Sequence, residues 1–278
     1  VRGPDASRDA PPPEPPVLEA RDFRVLAGLI HEASGVRLGA EKHELLASRL
    51  RPLLAQLDVT TYAALSRAVR ADATGEKLAL LVDRATTNTT GFFRHRFHFD
   101  LLRAELPALG HEGKLRIWSA GCSTGEEAYT IALVLLAAGR DVGAKILATD
   151  VSQRALAKAR AAIYDEEALE PVPASLRLRF EPAPGGRFRV GAEARALVHL
   201  RRHDLREAGV HARSVFDAIF CRNVLIYFES AARAAIVSKL ARVLRPGGIF
   251  FLGPSESGVE LPEGFTRIGP AAYKRRGE

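Results

Sequence analysis

The chain has 278 residues, enough for one sizeable core and a smaller companion domain. Its 47% hydrophobic and 26% charged residues are ordinary for a soluble globular protein, and no apolar run approaches the roughly 20 residues of a membrane span. Two cysteines, Cys122 and Cys221, are too few for a disulfide framework or a zinc site, and forty Lys and Arg against 33 Asp and Glu leave a formal charge of +7.

That surplus suits an acidic partner. The arginines are spread along the chain rather than gathered into a tail, so a nucleic-acid partner is not expected. The N-terminal stretch has no apolar h-region, so neither a secretory signal nor membrane insertion is expected, and the expectation is a cytoplasmic protein.

Residues 1–20 hold six of the 16 prolines and few large apolar groups, which predicts a disordered tail. Residues 21–85 then read as a small helical domain. Phe23, Leu26, Leu29 and Ile30 share one helical face that Ala33-Ser34-Gly35 ends. Leu45, Leu46, Leu50, Leu53 and Leu54 form a second stripe, and Tyr62, Leu65 and Val69 a third. Residues 86–100 contain four threonines and Asn88, followed by Phe92-Phe93-Arg94. Two adjacent Phe residues have no use in a free linker, so this segment reads as an ordered strap, with Arg94 available to an anion.

From residue 101 to 278 strands alternate with helices. Strands are expected at Lys114–Ser119, Ala144–Ala148 running to Asp150, Phe216–Phe220 and Gly248–Leu252. Helices are expected at Glu126–Ala138, Ser152–Ile163 and Ala231–Leu244. This grammar predicts an α/β fold with a parallel, doubly wound sheet whose ligand lies at the carboxyl ends of the strands. Over about 165–200 it breaks: Arg177-Leu-Arg-Phe, Pro184-Gly-Gly and Arg187-Phe-Arg-Val read as an antiparallel hairpin, a small β-subdomain.

The first chemical signal is Trp118-Ser-Ala-Gly-Cys-Ser-Thr-Gly-Glu-Glu127 between a strand and a helix. Gly121 and Gly125 let the backbone pass close to a ligand, but Ser123 breaks the dinucleotide spacing G-x-G-x-x-G. Glu126 and Glu127 would repel a phosphate there, yet they suit a cationic amine and a sulfonium; alternatively, both simply complement the helix dipole. Asp150 ends the next strand, where a carboxylate can accept both ribose hydroxyls or cap the following helix. Arg222 and Asn223 finish the strand after Phe216, at the cleft edge, where polar groups need partners. The Pro-Pro-aromatic loop of base-amine methylation is absent, and neither Cys follows Pro as a cytosine-attacking nucleophile commonly does. His95 and His98 lack a third ligand at metal spacing, so no metal is expected.

Taken in order, Asn88-Thr-Thr-Gly-Phe-Phe-Arg94, Trp118–Glu127, Ala148-Thr-Asp150, Phe216-Asp-Ala-Ile-Phe-Cys-Arg-Asn-Val-Leu-Ile-Tyr227 and Gly253-Pro-Ser-Glu256 strongly resemble the chemotaxis protein methyltransferases of the CheR type. The resemblance runs from about Phe23 to Tyr273. It implies an N-terminal all-helical receptor-interaction domain and a Rossmann-like class I methyltransferase domain carrying the β-subdomain. It also implies S-adenosylmethionine as methyl donor, with S-adenosylhomocysteine as product, and glutamates on the methylation helices of membrane chemoreceptors as acceptors.

By the same resemblance Asn88, Thr90, Arg94, Gly121, Glu126, Asp150, Asp204, Leu205, Arg222 and Asn223 would form the cofactor site. Arg94 and Tyr227 would lie nearest the transferred methyl, and Lys42, Arg49 and Arg51 would meet the receptor. A monomer is expected. Asp204 stands where the family commonly has Asn, and Pro254 where it often has His. The short turn after Glu181 lacks the spread glycines of members that grip a receptor's C-terminal pentapeptide, which predicts a pentapeptide-independent enzyme. A non-catalytic scaffold that binds cofactor and receptor, and a methyltransferase acting on a small molecule or nucleic acid, remain as alternatives.

Overall fold

The computed structural model describes residues 16–85, 90–110, 114–207 and 216–277. They divide into two compact units: one holds the described residues up to Ile30 together with Leu38–Ala85, the other His31–Arg37 and the described residues from Thr90 onward. The expected Pro-rich tail lies outside the described residues up to position 15, as does Asn88.

The smaller unit is built on the first part of helix α1 (Ala20–Ser34), up to Ile30, and on α2 (His43–Gln56), α3 (Tyr62–Arg70) and α4 (Glu76–Ala85). Thr61 caps α3, its hydroxyl accepting from the Ala64 amide at 3.1 Å. The Tyr62 hydroxyl donates to the Ala47 carbonyl at 2.7 Å, tying α3 to α2. The stripe on α2 is Leu46, Ala47, Leu50, Leu53 and Leu54, whereas Leu45 is 40% exposed. At 100° per residue, position 45 falls one step off the face that 46, 50 and 53 share.

The larger unit carries a seven-stranded sheet in the order β6-β2-β1-β7-β8-β10-β9. Its strands are β1 (Arg116–Ala120), β2 (Lys145–Asp150), β6 (Val198–Arg202), β7 (Phe216–Cys221), β8 (Leu244–Leu252), β9 (Phe265–Gly269) and β10 (Ala272–Arg275). The first five in spatial order run parallel; β10 and β9 close the edge antiparallel. Alternation along β8 shows that both faces are covered. Ile249 and Phe251 join one buried cluster with Phe99 and Phe220, while Phe250 and Leu252 join another with Trp118, Ile236 and Leu240. Helices α5 (Phe97–Glu105), α6 (Glu126–Ala137) and α7 (Gln153–Ala161) feed the first cluster, and α8 (Ser230–Val243) the second.

The hairpin forms a sheet of its own, in the order β3-β5-β4, from β3 (Ile163–Tyr164), β4 (Phe180–Ala183) and β5 (Arg187–Val190). Arg177-Leu-Arg, expected in a strand, does not pair. The amides of Leu176 and Arg177 bond to the Pro173 carbonyl, so Ala174–Arg177 is a helical turn and pairing begins at Phe180. Among the described residues no helix is long and apolar enough to cross a membrane.

Candidate functional site

The parallel register brings five strand ends to one edge of the sheet. Ala120 of β1 lies beside Thr149 of β2, Asp150 beside Arg202 of β6, and Cys221 of β7 beside Leu252 of β8. The turns carrying Gly121, Asp150, Asp204, Arg222 and Gly253 therefore leave the sheet together, at the edge where open α/β sheets bind ligands.

The glycine turn after β1 is fixed by its neighbours. Gly121 has φ +85°, and a Cβ there would come within 3.1 Å of the Val224 side chain. Gly125, at φ +98°, would bring a Cβ to 2.9 Å from Ala159 and 3.0 Å from the Tyr164 hydroxyl. Both glycines thus admit close packing within the protein, which sets the start of α6 on α7 and on Tyr164. That hydroxyl donates to the Thr124 carbonyl at 2.7 Å.

Asp150 is half-buried and accepts the Ser123 amide at 2.8 Å and the Ser152 amide at 2.9 Å, one on each oxygen. A carboxylate accepts several donors at once, which suits it to a pair of hydroxyls. The cap of α7 is Ser152, whose hydroxyl accepts from the Ala155 amide at 3.0 Å. Glu126 opens α6, is 7% exposed, and accepts from the Thr124 hydroxyl at 2.6 Å. Burial raises its pKa above the ordinary carboxylate value, only partly offset by that hydroxyl.

Arg222 is nearly sealed: its Nη1 donates to Glu127 at 3.1 Å, with side-chain exposures of 2% and 12%. Its Nη2 donates to the Arg94 carbonyl, and its guanidinium lies 5.3 Å from the Phe99 ring centre. Glu127 also accepts from the Ser119 hydroxyl at 2.7 Å. Burial raises the pKa of Glu127 and lowers that of Arg222, and each opposes the shift in the other. The Nε of Arg222 and the Nε2 of His95 are buried without a hydrogen-bond partner among the described residues.

Around Arg94 the strap is rigidly specified. Phe92 packs edge-on to Tyr164 and Phe180, with ring centres at 4.9 and 5.4 Å, and the Phe93 amide donates to the Thr130 hydroxyl at 3.1 Å. Phe93 and His95 hold φ of 53° and 58°, and Arg94 between them is exposed; Thr90 is half-buried. His98 is buried and contacts the Pro270 carbonyl through Nε2 at 2.8 Å; burial lowers its pKa to about 4.

After β6, Asp204 is already engaged. Arg206 reaches both of its oxygens through Nε at 3.1 Å, and Nη2 adds a contact at 2.7 Å. Leu205 is 8% exposed, with its side chain in the cluster of Trp118 and Phe216. Asn223 sits at φ +59° after β7, and the half-buried Tyr227 ends the turn Leu225–Tyr227, its carbonyl accepting from the Arg37 amide at 3.0 Å. In the helical unit Lys42 and Arg51 are exposed, whereas Arg49 is half-buried and donates to the Ala85 carbonyl at 2.9 Å, closing the end of α4.

Spacing alone does not single out Glu127 or Arg206 for these roles. Glu127 reads, with Glu126, as an acid suited to a cationic ligand or to the helix dipole, not as the partner of Arg222. Arg206 carried no signal at all.

Two family models match the chain: "CheR methyltransferase, all-alpha domain" over residues 21–86 and "CheR methyltransferase, SAM binding domain" over residues 88–273. Chemotaxis protein methyltransferase 2 of Pseudomonas aeruginosa is 37% identical over 260 residues, covering 91% of this chain and 92% of that protein. The chemotaxis protein methyltransferase of Escherichia coli K12 is 34% identical over 265 residues, covering 92% and 91%. Buried carboxylates, hydroxyl-accepting oxygens and an exposed guanidinium on the strap are a donor set that fits S-adenosylmethionine, which offers an ammonium, a sulfonium, ribose hydroxyls and a carboxylate. The chain belongs to the CheR methyltransferase family, and its larger unit carries that family's S-adenosylmethionine-binding domain.

Proposed function

We propose that this protein transfers the methyl group of S-adenosylmethionine to glutamate side chains of chemoreceptors, giving γ-glutamyl methyl esters. The reading rests first on Glu126 and Asp150 at one edge of the sheet with Arg94 exposed on the strap, and then on the names of the relatives. S-adenosylmethionine supplies a methyl on a cationic sulfur; the acceptor oxygen bonds to that carbon as the C–S bond breaks, and the sulfur keeps the pair. With a reference pKa near 4.3, the acceptor glutamate is ionised at neutral pH and needs no general base. The protein's work is then alignment and water exclusion, which can supply on the order of 7–11 kcal/mol.

In this reading Asp150 takes the ribose hydroxyls and Glu126 faces the cationic end of the cofactor. Thr90, Gly121, Leu205 and Asn223 line the same site, as does Asn88, which lies outside the described residues. Asp204 contributes as an Arg206-paired group, which offsets the charge it brings where the family commonly has Asn. Arg222 acts through Glu127 and Arg94. Arg94 orients an anion and Tyr227 shapes the methyl channel. Lys42 and Arg51 are the exposed cations offered to a glutamate-rich helix, and the three-residue turn between β4 and β5 favours a pentapeptide-independent enzyme.

The test is incubation with methyl-labelled S-adenosylmethionine and chemoreceptor-bearing membranes, with and without the receptors' C-terminal pentapeptide. Alkali-labile label on receptor bands, unchanged by the truncation, is the expected result. Alkali-stable label, or label on a non-receptor molecule, would overturn the assignment.

Glu126 gives this reading a pH signature. Its raised pKa means that the native apo-protein binds a proton more readily than the unfolded chain, so Glu126's own contribution makes stability fall as pH rises through that titration. A cationic ligand favours the ionised form, so cofactor affinity should rise with pH over the window just above the ordinary carboxylate range, with a proton released on binding. Calorimetry of cofactor binding from about pH 5 to 7 should show this slope. Glu126→Gln should flatten it and weaken binding about 10-fold or more.

A further inference from the structure

We propose that Glu256 is a positioning residue for methyl transfer, its buried carboxylate holding the loop after β7 in the shape that presents Asn223 and Tyr227. Glu256 is 3% exposed and ends the short turn Pro254–Glu256. One oxygen accepts the amides of Asn223 and Gly253, both at 2.7 Å. The other accepts the amides of Leu225 at 2.7 Å and Ile226 at 3.3 Å. Four backbone donors thus converge on one side chain.

The chain's course explains why an anion is needed there. Strand β7 ends at Cys221, and Asn223 turns into the left-handed region at φ +59°. The amides that follow have left the ladder; that of Leu225 is buried and those of Asn223 and Ile226 are partly so, and each needs an acceptor that the strand no longer supplies. A carboxylate is acceptor-only on both oxygens and makes the stronger, charge-assisted kind of bond. The fit is close: a Cβ on Gly253 would lie 2.7 Å from the Glu256 carboxylate and 2.8 Å from the Asn223 nitrogen. Ser255 adds a long contact of 3.4 Å to the Asn223 side-chain amide. The two strand ends are thereby locked together around one charge.

This inference rests on the roles proposed for Asn223 and Tyr227. A Gln at 256 keeps the volume but turns an NH2 group toward two of the four amides. The test compares the native protein with Glu256→Gln and with Leu240→Ala, a core substitution on α8 that sets the effect of lost stability alone. Amide exchange across 223–227 should speed about 10-fold or more in Glu256→Gln while β1 and β8 stay protected. In the folded fraction, kcat should fall about 10-fold or more and S-adenosylhomocysteine should bind more weakly, with KM for the acceptor unchanged. Should Glu256→Gln fail to fold, Glu256→Ala assayed with and without acetate replaces it, and acetate should restore turnover where chloride at equal ionic strength does not.

The proposal fails if kcat and S-adenosylhomocysteine affinity stay within about two-fold of the native protein, or if the losses match those of Leu240→Ala. It also fails if acetate rescues nothing. Absence of glutamyl transfer by the native protein would sink the proposed function instead; exchange and product affinity would still decide the role of Glu256.

Discussion

Truncating Glu127 to Ala is expected to destabilise the larger unit by about 3–5 kcal/mol, because it strands the Arg222 guanidinium in a place water barely reaches. The pair's side-chain exposures are 12% and 2%, and although the Glu256 carboxylate adds a weaker attraction, the Arg94 carbonyl and the Phe99 ring that also touch Arg222 carry no countercharge. Burial already lowers the arginine's pKa and raises that of the glutamate, so each charge is tolerated through the other. The measurement is denaturant unfolding, where the midpoint should fall at constant m-value. Glu127→Gln should cost less, since an amide oxygen still accepts from Arg222 or Ser119. Removing both charges as Glu127→Gln with Arg222→Met should be milder than the sum of the two single changes. Additive losses would mean that the two groups do not act as a pair. The strap supplies a second readout: with Arg222 released from the Arg94 carbonyl, proteolysis around residues 92–96 should accelerate in either single variant.

What could be read from the sequence was what lies close together in it. The glycine turn, Asp150 at the end of β2 and the burial of Phe92 and Phe93 all follow from a few adjacent residues. Partnerships between distant segments could not be read. Glu256 meets Asn223 across 33 positions, and Arg222 meets Glu127 across 95 and Arg94 across 128. No periodicity spans such separations; only the folded sheet, with its strand ends side by side, brings them together. The strands that escaped detection, β6, β9 and β10, show few buried positions, so alternation had little to mark, and β3 is only the two residues Ile163–Tyr164, the first of them read as the end of the preceding helix, which stops at Ala161. Arg177-Leu-Arg has strand-like alternation, yet Pro173 just upstream starts a helical turn that takes its amides. Arg49 matched a basic helix face, and its bond to the Ala85 carbonyl, 36 positions away, was not legible there.

Arg94→Ala is expected to lower kcat/KM by about 100- to 1,000-fold while leaving the fold nearly as stable. The reasoning starts from the backbone. Phe93 and His95 on either side hold positive φ, a conformation that costs non-glycine residues roughly 1–2 kcal/mol apiece. The Thr130 hydroxyl under the Phe93 amide and the Arg222 guanidinium over the Arg94 carbonyl hold the strap in place against that strain. Such a mount fixes the position of one side chain, and the side chain it presents is an exposed cation. Because the mount is made by the backbone, truncating Arg94 should leave it intact. Two equilibrium measurements then separate the anions it could serve. If S-adenosylhomocysteine binds more weakly in step with the lost rate, Arg94 holds the cofactor's carboxylate. If product affinity is unchanged while transfer collapses, it orients the acceptor glutamate. Arg94→Lys sharpens the distinction: a point charge should restore part of a purely electrostatic role but little of a bidentate one. Transfer and cofactor affinity both intact in Arg94→Ala would remove Arg94 from the reaction altogether, and the strain around it would then need another explanation.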